Sequence, residues 1–200
     1  MNMRSILLII LLCLPLAVAV NGQAGKQPAK PAATPNAYVR PDQKTRFRWY
    51  FKSMVGPEAL GADAAVAAFS TWRNTPPEWG KTWNGFGKRF ASNVGRSVIS
   101  NTTRFALEEA FKLDSHYYRS TKKDVGSRIK NALIAPFTAR NASGKLVLGF
   151  PRIAGTYTAH IVSVETWYPK RYGWRDGLRS GSISLGADML FSLFKEFIHR

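Results

Sequence analysis

Apolar residues recur at helical spacing along most of the chain, and the longest such stretch is 85–113, GFGKRFASNVGRSVISNTTRFALEEAFKL. Phe86, Phe90, Val94, Val98, Phe105, Leu107 and Phe111 return every few positions, which predicts a helix with one apolar face. Gly87, Ala91 and Gly95 stand four apart on it, a smooth row that another helix can approach closely. Lys88, Arg89, Arg96 and Arg104 are expected to keep the outer face cationic.

The same device returns elsewhere. Residues 57–72 (PEALGADAAVAAFSTW) read as an alanine-rich helix with Pro57 in its first turn and a small face of Gly61, Ala65 and Ala68; Asp63 is expected outside. Residues 151–167 read as a helix opened by Pro151, with Gly155, Ala159 and Ser163 four apart, although its β-branched residues leave a strand open. In 175–199, Gly177 and Gly181 lie in one row and Ser182 and Gly186 in another, before the apolar turns of Leu190, Phe191, Leu193, Phe194 and Phe197. Asp188, Lys195 and Glu196 interrupt that apolarity.

Between these lie less regular pieces. Residues 45–54 suggest a short helix rich in aromatic and basic side chains, suited equally to a membrane interface or to packing on the core. Pro76 and Pro77 mark a turn. Residues 114–124 form a polar loop, and 125–137 a helix stopped near Pro136. ARNASG at 139–144 is a turn, and KLVLGF at 145–150 fits a short strand or an extended lead-in, the lead-in being favoured because no partner strand is evident. The expected fold is mainly α: a compact bundle of about five helices in one domain, 37–200, with close packing through Gly, Ala and Ser.

The first 36 residues differ in kind. Arg4 precedes an apolar run at 6–20, then small and polar residues, the layout of a secretory signal peptide over 1–22. An uncleaved anchor is the alternative. Residues 23–36, rich in Pro and Ala, are expected to be a disordered linker. Cys13, the one cysteine, falls inside the apolar run, so a cleaved chain would have no thiol for disulfides, catalysis or metal binding.

Charge narrows the partners. Lys and Arg number 29 against 12 Asp and Glu, a formal net charge of +17. That excess attracts anionic surfaces. An exported protein rarely meets nucleic acid, so an anionic membrane surface is the expected partner; protein partners are unknown and homo-oligomerisation stays open.

Several phrases in order carry a resemblance: Glu78-Trp79-Gly80, the 85–90 motif GFGKRF, Asp114 through Tyr118-Arg119-Ser120, Gly155 in its small-residue helix, Trp167-Tyr168-Pro169, and Gly186-Ala187-Asp188 running to Phe197. Together they resemble a family of exported helical proteins, mainly acidobacterial, for which no activity is known. The resemblance spans Glu78 to the C-terminus. Relatives usually carry an Asp-x-Arg-Tyr-Phe-Arg-like phrase where this chain has Asp114-Ser-His-Tyr-Tyr-Arg. It implies an exported helical architecture and transfers no catalytic residue.

Candidate chemistry is sparse. Glu109, Asp114, His116 and Arg119, with Asp188 farther on, are the polar-site candidates. A His beside a carboxylate can serve as a base, but a lone His in a polar loop is more often inert. His160 and His199 are too isolated to complete a metal site, and no metal or other cofactor is expected. Neither a nucleophile elbow nor a phosphate loop is present. No segment after the N-terminal run reaches the roughly 18 apolar residues of a simple span. The balance is against an enzyme. The expected role is a non-enzymatic, membrane-associated protein of the cell envelope, structural or scaffolding. The alternative is a soluble periplasmic ligand-binding or enzymatic domain built on the Asp114–Arg119 loop.

Overall fold

The ends of each helix show why the chain turns where it does in the structure, a computed structural model describing residues 38–198. Helix α1 spans Gln43–Val55 and α2 Pro57–Trp72, with Pro57 in the first turn, where its missing N–H costs nothing. A 3-10 turn, Pro77–Trp79, leads to the 29-residue α3, Trp83–Phe111. The Thr82 hydroxyl caps α3 by accepting from the Gly85 amide at 3.3 Å, so the helix starts two residues before the apolar row suggests. Lys112, in the left-handed region at φ 53, ends it.

Helix α4, Val125–Ile134, is capped by Asp124, whose carboxylate accepts from the Ser127 amide at 2.7 Å. It stops at a 3-10 turn, Ala135–Phe137, that contains Pro136. Helices α5, Phe150–Thr166, and α6, Trp174–Phe197, complete the described chain.

Residues 145–150 are not a lead-in. Strand β1, Thr138–Arg140, pairs antiparallel with β2, Leu146–Leu148, around the Asn141–Lys145 turn. The partner strand went unseen because its residues, Thr-Ala-Arg, have no apolar alternation. The other edge of β1 is held by Asp114: Asp114 and Arg140 exchange both backbone hydrogen bonds, at 2.9 and 2.8 Å. That bridge fixes the start of the 114–124 loop.

The protein is mainly α, a closely packed bundle. Helix α3 lies at its centre and carries α1, α2 and α5; α6 packs on α5, and α4 on α6. Close approaches of one helix to another lie on α5 and α6. A Cβ on Gly155 would come within 2.5 Å of the Ser100 carbonyl oxygen of α3. One on Gly177 would meet the Ile161 Cα at 2.8 Å, and one on Gly181 the Tyr157 ring at 2.8 Å. Ala159 is buried between them in sequence.

The row on α3 behaves otherwise. Gly87 has open space around it and Ala91 is exposed. Only Gly95 of that row is in contact, and with the Trp167 ring rather than a helix backbone, at 3.5 Å from its would-be Cβ. Gly186 on α6 likewise faces open space. On α2, Ala67 is buried while Gly61, Ala65 and Ala68 are exposed. Four-residue spacing marks a helical face, but it does not say which face meets a neighbour.

What lies inside is unusual. The apolar core consists mainly of Ala67, Ala132, Ala139 and Ala159 with Met54, Leu113, Val164 and Leu185. Arg89, Asn93, Asp114, Ser115, Ser163, Ser192 and Glu196 are buried with them. Large apolar side chains are outside instead: Trp83 is 87% exposed, Trp72 72% and Leu190 68%.

Candidate functional site

Asp114 is buried at the junction of α3, the hairpin and the loop. Its Oδ2 accepts from the Tyr38 hydroxyl at 2.6 Å and the Tyr118 hydroxyl at 2.7 Å, and its Oδ1 from the His116 amide at 2.8 Å. Burial, together with the bond to the Asp114 carboxylate, raises both phenols above the ordinary tyrosine range, so they remain donors. The Arg140 guanidinium lies 5.5 Å from the Tyr38 ring centre and 5.4 Å from that of Tyr118.

His116 does not pair with Asp114 through its ring. The imidazole stacks on Trp49 at 4.1 Å. Desolvation of the ring lowers its pKa, aided by Arg104, Lys195 and Arg152 and opposed by Asp114. Asp114 is thus occupied by hydroxyls and an amide, and the base–orienter arrangement of acid–base catalysis is not formed. The crevice that Asp114, His116, Tyr118 and Asn131 share encloses about 30 Å³, room for a water rather than a ligand.

Glu109 belongs to a different contact. Arg46 of α1 grips it with two bonds, Nε to Oε1 at 2.6 Å and the terminal nitrogen to Oε2 at 2.7 Å, and Arg40 adds a third at 3.2 Å. The bond from Arg46 is the main reason its carboxyl is held below the usual range. Arg119 donates to the Glu196 carbonyl. Asp188 stands apart from these hydrogen bonds, half-buried, with burial raising its pKa against the pull of Arg152, Arg104 and Lys195.

The most fully satisfied acidic group is one that composition reads only as a blemish in an apolar turn. Glu196 has no exposed surface. Its carboxylate accepts from Arg128 Nε at 3.1 Å, the Ser120 amide at 3.3 Å, Asn131 at 3.5 Å and the Tyr117 hydroxyl. Burial works against the charge, but these hydrogen bonds outweigh it and keep the carboxyl below its ordinary range. Arg119 and Arg128 also cover the Glu196 carbonyl at the end of α6, where cations suit the helix dipole. One glutamate thereby joins α6, α4 and the loop.

Arg89 is a second hidden charge and corrects the expected outer-face cation. It is 2% exposed and donates to the carbonyls of Thr75, Pro76 and Gly80 at 2.7–2.8 Å, fastening the α2–α3 turn to α3. Burial lowers its pKa. Asp63, expected exposed, is half-buried, and one carboxylate oxygen has no hydrogen-bond partner. The sequence carried one usable hint of these roles: Arg89 stands three residues from Phe86 and one from Phe90, on the edge of the apolar face.

Among the described residues, no three His, Cys, Asp or Glu side chains come together as metal ligands. Inside, Asp114, Glu196 and Arg89 have their polar partners within the protein, while Trp72 and Trp83 face outward. Compared with known proteins, the chain matches no family model, no curated protein and no solved structure.

Proposed function

We propose that this is an exported, non-enzymatic protein of the cell envelope, a basic helical scaffold that rests on an anionic membrane surface. The observation that carries the reading is the exchanged polarity. Glu196 is the largest fully buried side chain, while Trp72, Trp83, Leu190 and the Phe residues of α1 and α6 face outward. Fully burying such a side chain is worth about 1.5–3 kcal/mol, so a bilayer interface would recover free energy that water does not. The +17 charge adds attraction to anionic lipid. No described helix is long and apolar enough to cross a membrane, which favours a position on the surface. The signal peptide and linker that would deliver it there, and His199, lie outside the described residues.

The test is cell fractionation of the full chain with a salt wash and a carbonate wash. Recovery in the membrane fraction, released by carbonate more fully than by salt, is expected. Recovery wholly in the soluble fraction without any wash would overturn the reading.

A further inference from the structure

Helix α1 has two faces that differ completely. The inner face is tied to α3: Arg46 to Glu109, the Tyr50 hydroxyl to Thr102 at 2.9 Å, Ser53 to Asn101 at 3.0 Å, and the Tyr50 ring stacked on Phe105 at 4.7 Å. The outer face carries two parallel rows at four-residue spacing. One is Phe47, Phe51 and Val55, exposed by 55%, 56% and 41%. The other is Lys44, Arg48 and Lys52. Together these six side chains, with Gly56, form one open and mostly apolar face of α1.

Among the described residues Lys44 and Arg48 make no ion pair, and Lys52 meets only the exposed Glu58 at 3.9 Å. A second copy is a poor occupant, because a twofold contact would bring both basic rows together. Nucleic acid would match the cations but not the aliphatic end of the apolar row at Val55. A molecule with an anionic head beside a hydrocarbon tail matches both rows.

We infer that the outer face of α1 is a docking surface for anionic phospholipid, with Lys44, Arg48 and Lys52 holding headgroup phosphates and Phe47, Phe51 and Val55 receiving an acyl chain. The inference rests on the membrane reading above and assigns it to one face. In this geometry α1 lies in the membrane plane, and its inner face passes the load to α3.

The full chain is sedimented with phosphatidylcholine vesicles, with and without phosphatidylglycerol. Wild-type protein is expected to bind the anionic vesicles. At about 1 kcal/mol per cation near the surface, K44Q/R48Q/K52Q should weaken that binding roughly 100-fold. F47S/F51S should weaken it roughly 10-fold or more, from the loss of two partly buried rings. Circular dichroism and the thermal midpoint of K44Q/R48Q/K52Q should match wild type. F47S/F51S should melt lower, because the Phe47 ring also meets Phe105 of α3 at 6.3 Å and Tyr50 at 5.8 Å. F51S alone, which spares that contact, is the variant that should keep the wild-type midpoint while binding vesicles more weakly. If wild type binds no vesicles, this inference and the membrane reading fall together. If the variants bind anionic vesicles as tightly as wild type, the docking face is overturned while the membrane reading stands on other surfaces. A dimer in solution that F47S/F51S dissolves, with no lipid dependence, assigns the face to a second copy and overturns the inference. Wild-type retention by single-stranded DNA but not by anionic vesicles does the same in favour of nucleic acid.

Discussion

Glu196 and Phe51 sit in exchanged places. The glutamate has no exposed surface, and the phenylalanine is 56% exposed. Room and hydrogen bonding, rather than hydropathy, decide the difference. Where α5 meets α6, a Cβ on Gly177 would collide with the Ile161 backbone and one on Gly181 with the Tyr157 ring. At those two positions only glycine fits, and the Tyr157 ring occupies the space that a side chain at Gly181 would need. A buried carboxylate is tolerable where donors converge on it, and Tyr117, Ser120, Arg128 and Asn131 do so at Glu196. Large apolar side chains such as Trp83, Trp72 and Leu190 lie outside.

The largest way to break this comparison is at its polar end. Glu196→Leu leaves Arg128 and the Tyr117 hydroxyl without their acceptor, and chemical denaturation should register a loss of about 3–5 kcal/mol. Combining it with Arg128→Met should restore part of that loss. Full stability in the single variant would mean that the buried glutamate is not an anchor.

Next comes the close helix packing. Gly155→Leu must push α5 off the Ser100 carbonyl and should cost about 1–3 kcal/mol or more. Gly87→Ala, in open space on α3, should be neutral or raise stability by about 0.5–1 kcal/mol. Thermal melts of the pair test whether the small-residue rows on different helices do different things. Gly95→Leu should fall between them, because the Trp167 ring it meets can shift more readily than a backbone.

Acid should expose a smaller effect. His160 shares its Nδ1 with the Ser180 hydroxyl at 2.8 Å, and burial lowers its pKa to about 4. An unfolded histidine titrates near 6.5. A depressed folded pKa favours the folded state above the unfolded value, and the benefit is lost as pH falls from about 6.5 toward 4. Glu109 and Glu196, also held low, lose theirs only below the ordinary carboxylate range. Thermal midpoints against pH should therefore begin to drop near pH 6.5, and His160→Asn should shrink that upper limb to the share of His116, whose pKa desolvation also lowers.

The smallest change belongs to the apolar exterior. Trp83→Ser and Phe51→Ser should alter stability by no more than about 0.5 kcal/mol in water, while Phe51→Ser alone should weaken vesicle binding. A large stability loss in either would show that these rings are structural after all.

Much of the helical architecture was legible from local rules. Pro57 and Pro151 mark helix starts, and the 3.6-residue recurrence of Phe86 through Phe111 marks the central helix. Reading Gly155, Gly177 and Gly181 as contact residues needed only their spacing, yet the same spacing misleads for Gly87, Ala91 and Gly186. The β1–β2 pair was hidden because Thr138–Arg140 carries no apolar alternation to mark it as a strand. Of the polar candidates, Asp114 and His116 stay together, while Arg119 turns to the Glu196 carbonyl, Glu109 is claimed by Arg46 and Asp188 stands apart.

By itself the sequence determined the helices, their ends, the excess of positive charge and the recurring small-residue rows, because each depends on neighbours within a few positions. Tertiary structure alone decided which rows meet, which charges go inside and which apolar faces stay out. Those outcomes depend on partners far apart in the chain: Arg89 on the Thr75–Gly80 carbonyls, Glu196 on residues 117–131, Gly155 on Ser100. A side chain's place is set by the volume and the hydrogen-bond donors that distant segments bring to it, and no local pattern records those.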